Sequence, residues 1–563
     1  MVKRLFATKP LNLLLDEMEG DHRLRRVLGP VALTSLGVGC TIGTGIFVLT
    51  GIAAHDKAGP ALSLSFVVAG IACIFAALCY AEFASIAPVA GSAYTYAYAT
   101  LGELFAWIIG WDLVLEYTVA SGTVAHGWSK YFQDIIESYN WHIPKLFSNA
   151  PFDFDPVAAR FFSTGSYVDL PAVIIAALVT MVLVKGIRES AGFNAAVVAL
   201  KVGVVLFVIA VGAFFVDPRN WHPFAPFGYS GLSFFGHPIL GPCRNGEPVG
   251  MLAGAAVIFF AYIGFDSVST HAEEARNPQR DVPIGIIASL VICTILYIGV
   301  TLVLTGMVPS NRIDIDAPVA NAFKQVGLEW ARRLIGFGAV AGITSVLLVL
   351  MLSQPRVLLA MARDGLIPRN FFGAVHEKFR TPWKSTILTG LLVALMGGFL
   401  PLTVLAELVN IGTLLAFVIV CMAVLILRKT HPDARRPFRC PGVPYVPILG
   451  MLMCLMLMLS LRSENWWRLI VWLELGLLIY LSYGQSRSVM ERQRAEETGK
   501  TVRISKLPLV LGILVGIAYA TFFALRGGAH LNNYMQAFLA AAVGHAIGYL
   551  ILWIKSRGVP QHL

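Results

Sequence analysis

Apolar runs of about 20 residues recur almost from end to end of this 563-residue chain, and that recurrence limits what it can fold into. Each run is long enough to cross a bilayer as a helix, the element that satisfies its own backbone polar groups in hydrocarbon. Hydrophobic residues make up 57% of the chain and charged residues 13%, with a mean hydropathy of +0.71. Soluble domains carry about a quarter charged residues, so a soluble enzyme is excluded. The predicted class is an all-α polytopic membrane protein.

The runs predict about fourteen transmembrane helices. Five lie in 29–216 (near 29–53, 61–87, 93–127, 169–187 and 194–216), five in 249–427, two in 444–484 and two more in 507–554. Tails of 1–28 and 555–563 remain, with a short interfacial helix expected over Leu11–Glu19. The formal charge is +10, but the Lys and Arg sit in short connections, where they set orientation rather than bind nucleic acid. With a cytoplasmic N-terminus, basic residues favour the inside by more than two to one. The segments 355–384, 428–443 and 485–506 all fall there together, whereas the connection Pro88–Glu103 carries no basic residue. Both termini are then cytoplasmic, in a plasma or inner membrane.

Several chemistries find no foothold. The eight cysteines form no CxxC pair, and HExxH and GxSxG are missing, so no metal, disulfide framework, cofactor or enzymatic activity is expected. The run from Gly37 to Gly45 fits neither GxGxxG nor GxxxxGK[ST] and lies inside an apolar span, so no nucleotide partner is implied.

That same run has a glycine at 37, 39, 43 and 45, each about 1 kcal/mol worse than Ala in a helix interior, which predicts an unwound first span. The sixth span carries a glycine and an acid mid-membrane in Phe260-Ala-Tyr-Ile-Gly-Phe-Asp266. Each break opens a block of five spans, and the odd number inverts the second block relative to the first. Broken helices at matching positions of inverted halves point to a secondary transporter's binding site. Half-helix N-termini suit a carboxylate, and free carbonyls suit an ammonium, the two groups of an amino acid. The alternative is that the glycines only let helices pack closely.

Six segments in this order resemble the amino acid, polyamine and organocation superfamily, and within it the cationic amino acid transporter family. They are Ile42-Gly-Thr-Gly-Ile-Phe47, Pro88-Val-Ala-Gly-Ser-Ala-Tyr94, Gly110-Trp-Asp-Leu-Val-Leu-Glu-Tyr117, Ile263-Gly-Phe-Asp266, Glu273-Glu-Ala-Arg-Asn-Pro278 and Ala362-Arg-Asp-Gly-Leu-Ile-Pro368. The resemblance implies a 5+5 inverted-repeat (LeuT-like) core plus four C-terminal helices. It implies that a substrate carboxylate meets Gly43, Thr44 and Gly45 beside Ile42, and that the ammonium meets carbonyls of Thr41, Phe260 and Ile263 next to Ala261. Ala120, Tyr262 and Ile343 are the candidates for reading the side chain. A branched residue at Ile343 crowds a long cationic one, so small neutral amino acids stay open beside cationic ones.

Lys201 is the one basic residue deep in a span. A charged Lys there costs several kcal/mol unless it is paired, hydrated or neutralised. Either it exchanges the coupling proton, as a fifth-span lysine does in the proton-coupled relatives that the resemblance brings in, or it is a permanent strut against span 1. Glu116 and Asp266 are expected to meet the substrate ammonium, attract a cationic side chain or take a second proton. Asp112, four residues before Glu116, is expected near an interface, His126 and His271 at span ends, and Glu82 and Glu407 in structural roles. The function these readings imply is secondary active amino acid uptake by alternating access, coupled to protons. An exchanger and a non-transporting amino acid sensor are the alternatives, and the oligomeric state is left open.

Overall fold

The computed structural model describes residues 7–10, 28–86, 93–155, 160–186, 191–234, 237–244, 247–379, 381–461 and 463–498. The expected Leu11–Glu19 helix and the spans in 507–554 lie outside them. The protein is mostly helical. Its helices include α1 (Pro30–Thr41), α2 (Leu62–Ile86), α3 (Ala93–Thr100), α4 (Glu103–Glu137), α5 (Leu170–Lys185), α6 (Ala191–Gly212), α7 (Met251–Ile258) and α8 (Ser267–Thr270). They continue with α9 (Pro278–Met307), α10 (Pro318–Gln325), α11 (Glu329–Arg363), α12 (Trp383–Phe399), α13 (Leu402–Thr430), α14 (Tyr445–Leu459), α15 (Ser463–Ile479) and α16 (Val489–Thr498). Among the described residues seven helical stretches are long and apolar enough to cross a membrane, and four shorter apolar helices accompany them. Antiparallel two-stranded hairpins occupy the long connections after α4 and after α6.

Local chemistry sets the ends. Asp169 caps α5 by accepting from the Ala172 N–H at 3.2 Å, and Pro278 opens α9 where its missing N–H costs nothing. One boundary differs from expectation. The run 93–127 is not a single span, because Gly102 takes φ 101° and separates the short α3 from α4. A left-handed residue ends α3 and turns the chain into the long helix.

α4 packs on α11, α12 and α13, while α9 packs on α2 and α1. The outward faces of α5 (Ile174, Leu178, Val182) and α12 (Ile387, Leu391, Leu395) expose apolar side chains every fourth residue. Such stripes on the rim of an already packed bundle face lipid. At one end of α2, buried Glu82 accepts from Arg428 Nε at 3.0 Å and Nη2 at 2.7 Å and from the Cys440 N–H at 2.7 Å, with Arg436 at 3.3 Å. Glu82 is thus fully engaged in fastening the basic connection after α13.

An aromatic seam fixes α15 to α4. Trp111 and Trp472 stack at 4.5 Å, and each indole N–H donates to the other residue's carbonyl, at 2.8 and 2.9 Å. Trp107 adds a bond to the Gly476 carbonyl at 2.8 Å. Trp111→Ala removes the stack and the indole bond to the Trp472 carbonyl while keeping the backbone carbonyl that Trp472 reaches, and is expected to cost about 3–5 kcal/mol. A thermal unfolding midpoint in detergent unchanged from wild type would refute that role.

Candidate functional site

Both predicted breaks are present, and they meet. α1 stops at Thr41, Ile42 is extended (φ −74°, ψ 102°), and helical structure resumes at Gly45. Beyond α7, a 3-10 turn over Phe259–Tyr262 ends at extended Ile263 (ψ 132°), and Gly264 takes φ 120° before α8 begins. A Cβ on Gly45 would collide with the Ala261 backbone, and one on Gly264 would lie 2.9 Å from the Cys40 carbonyl oxygen. The two unwound segments therefore cross backbone to backbone, a contact that only residues without a side chain permit.

Tyr297 of α9 ties the breaks together. Its hydroxyl lies 2.8 Å from the Thr41 carbonyl and 2.9 Å from that of Ala261, so one proton serves two acceptors. Sequence reasoning missed this residue, since a tyrosine inside an apolar span carries no mark of its partners. The Thr41 carbonyl, expected to be free for an ammonium, accepts this bond. That of Phe260 accepts from the Ile263 N–H at 3.1 Å. Each keeps a second lone pair.

Around the crossing, Gly43 faces Val346 of α11, whose Cγ2 would sit 2.8 Å from a Cβ there. Ile343, fully buried, lies one turn earlier on the same face. The Thr44 methyl packs on Gly127 of α4, and its buried hydroxyl has no hydrogen-bond partner among the described residues. Ala120 is fully buried on α4. Tyr262 lies differently from its expected place. Its hydroxyl donates to the Phe66 carbonyl at 2.7 Å and its ring packs on Phe66 and Tyr297, so it braces the break against α2.

Lys201 is buried on α6 and its ammonium donates to the carbonyls of Gly39 and, at 3.2 Å, Ile42, just before the break. Gly342 of α11 leaves room for its stem. Among the described residues Lys201 forms no ion pair, so releasing its proton breaks no charge pair.

All three acids are buried, as expected for Glu116 and Asp266 but not for Asp112. Asp112 is buried rather than interfacial, and α13 passes so close at Gly412 that a Cβ there would come 2.9 Å from Asp112 Oδ1. Among the described residues neither carboxyl oxygen of Asp112 or of Glu116 has a hydrogen-bond partner. Asp266 is buried and accepts from the Gly264 N–H at 3.2 Å, holding the second break. The histidines expected at interfaces are also buried. His126 lies 3.6 Å from Asp169, and His271 Nδ1 lies 3.0 Å from the Ser267 carbonyl. Packing of α4 against α5 and α12 closes over His126, which a reading of distance along the span does not capture. The side chain of Glu407 lies outside the described residues.

Residues 28–480 match the family model for amino acid permeases. The chain belongs to the amino acid permease family. Membership makes this permease an integral membrane transporter rather than an enzyme, within the amino acid, polyamine and organocation superfamily. It is 44% identical over 488 residues to the methylthioribose transporter of Bacillus subtilis and 46% identical over 489 residues to that organism's branched-chain amino acid permease BcaP. Each match covers 87% of the permease and 99% of the relative. It is also 38% identical over 425 residues to the vacuolar cationic amino acid transporter 4 of Arabidopsis thaliana, covering 74% of the permease and 66% of that protein.

Proposed function

We propose that this permease takes up a neutral amino acid with an apolar side chain by alternating access, driven by a proton gradient. The observation that carries the reading is the crossing of two unwound helices at Gly45 and Ala261. Helical structure that resumes at Gly45 leaves its first N–H groups without intrahelical partners, which suits a carboxylate held by Gly43, Thr44 and Gly45. The remaining lone pairs of the Thr41, Phe260 and Ile263 carbonyls suit the ammonium. In this reading 29–216 and 249–427 form two inverted five-helix halves of a fourteen-helix chain with both termini cytoplasmic. The first and sixth spans rock against α4, α5, α11 and α12.

Ile343 and Val346 give the side-chain pocket a branched apolar wall that crowds a long cation. A branched-chain amino acid permease among the relatives matched over nearly their whole length supports the same substrate class. Lys201 exchanges the coupling proton against the span-1 carbonyls, and Glu116 and Asp266, with no cation paired to them among the described residues, form a second proton site on the inner side. No metal or organic cofactor takes part.

Uptake of labelled leucine, alanine and arginine by purified protein in liposomes, with and without an inward proton gradient, tests the reading. Leucine or alanine should accumulate with the gradient. Preference for arginine would overturn the substrate class, and uptake only into liposomes preloaded with amino acid would make the permease an exchanger. Methylthioribose belongs among the competitors, since a transporter of that compound is 44% identical.

A further inference from the structure

The end of α5 and the start of α12 form a node that the substrate site does not use. The two helices run antiparallel along a close seam, where a Cβ on Gly390 would collide with the Thr180 side chain and one on Gly398 with that of Val173. Their exposed apolar stripes, Ile174–Leu178–Val182 and Ile387–Leu391–Leu395, turn to the same side of the seam and flank it as a groove facing lipid. At the inner end the groove runs into the connection before α12. The Thr381 hydroxyl donates to the Val184 carbonyl at 2.9 Å, and the Thr381 carbonyl accepts from the His376 N–H at 2.8 Å, so this connection is fastened to the last turn of α5. Three lysines gather here: exposed Lys185 ends α5, exposed Lys378 precedes Phe379, and half-buried Lys384 lies in the first turn of α12. The Lys384 ammonium lies 5.6 Å from the Trp383 ring centre and 6.0 Å from that of Phe371, and the Lys378 ammonium 5.8 Å from that of Phe379. Among the described residues none of the three forms an ion pair, and the neighbouring acid, Glu377, is exposed.

The same connection turns Phe371, Val375 and Phe379 outward. Exposed rings with lysines among them belong at the level of lipid headgroups, the rings towards hydrocarbon and the ammonium groups towards phosphate. We infer that this node binds one anionic phospholipid of the inner leaflet, its phosphate on Lys185, Lys378 and Lys384 and an acyl chain along the seam of α5 and α12. The leaflet rests on the orientation read from the basic connections. The occupant follows from complementarity, since unpaired cations stand at the mouth of an apolar groove. A zwitterionic lipid answers the groove but brings no net charge, and a free anion answers the lysines but not the groove. Such a lipid fastens α5 to α12, helices that stay still in the transport reading.

The test uses the full chain, purified and delipidated in detergent and titrated with dioleoyl phosphatidylglycerol, dioleoyl phosphatidylcholine or inorganic phosphate. The readouts are the thermal midpoint and the lipid retained in native mass spectrometry. Phosphatidylglycerol should stay bound as one molecule and raise the midpoint about 4 °C more than phosphatidylcholine does. Lys185→Gln, Lys378→Gln and Lys384→Gln together should weaken its binding about a hundredfold and cancel the extra rise, and each change alone should weaken it about fivefold, so the single variants decide the matter should the triple one not fold. A charge-matched control, Lys429→Gln with Arg435→Gln and Arg439→Gln around the end of α13, removes three exposed cations elsewhere on the inner side and should keep both signals. Undiminished binding in the lysine variants would overturn the site. Equal loss in the control would do the same, since it reports bulk charge rather than this node. An equal rise with inorganic phosphate would make the node a free-anion site and overturn the phospholipid. Neither readout involves transport, so failure of wild-type uptake would sink the transport reading while the lipid site is still decided.

Discussion

Gly45→Ala is expected to lower the initial rate of uptake at least about a hundredfold while the protein still reaches the membrane and purifies as a monodisperse species. The added methyl would collide with the Ala261 backbone, and backbone cannot rotate away as a side-chain tip can. Overpacking of a well-packed core typically costs about 1–3 kcal/mol. Here the cost falls on the crossing of the two breaks, the part that must repack as the path changes sides. At 1.36 kcal/mol per factor of ten, about 3 kcal/mol on that step gives the hundredfold loss. Gly203→Ala is the control, because nothing lies within 4 Å of a Cβ there, and it should transport normally. Wild-type rates in Gly45→Ala would separate the crossing from the transport cycle.

Lys201→Met should abolish gradient-driven accumulation and spare exchange. If one proton accompanies each substrate, one pH unit supplies about 1.36 kcal/mol, or about tenfold accumulation, and the variant should fall to about equal concentrations inside and out. Methionine approximates the length of the stem, so packing against Gly342 is kept while the carbonyls of Gly39 and Ile42 lose their donor. Unsatisfied buried acceptors cost about 1–3 kcal/mol each, so the thermal midpoint should fall modestly without loss of the folded state. Counterflow of labelled substrate into preloaded liposomes separates the two roles. A strut predicts loss of counterflow together with accumulation; a proton carrier predicts loss of accumulation alone. Full accumulation in Lys201→Met would remove Lys201 from coupling.

The readings that held share a physical origin. Glycines at 37, 39, 43 and 45, or a glycine and an acid at 264 and 266, are expensive in hydrocarbon wherever the rest of the chain goes, so both breaks were legible locally. Glu82 shows the limit of such reasoning. Its burial in a span could be read, but its two arginines come from the end of α13 and the connection after it, about 350 residues away in sequence.

What the sequence by itself determined was therefore the membrane class, the places where two helices give way, and the permease motifs, because each follows from the cost of one residue in one solvent. Tertiary structure alone decided which backbones cross and which groups face one another. Tyr297 bridges Thr41 and Ala261, Gly127 receives Thr44, Tyr262 turns to Phe66, and Lys9 reaches Asp364. Asp112, expected near an interface, and His126, expected at a span end, are buried because helices distant in sequence close over them. A side chain's local cost is written in its own chemistry, whereas its partner is set by the packing of the whole bundle.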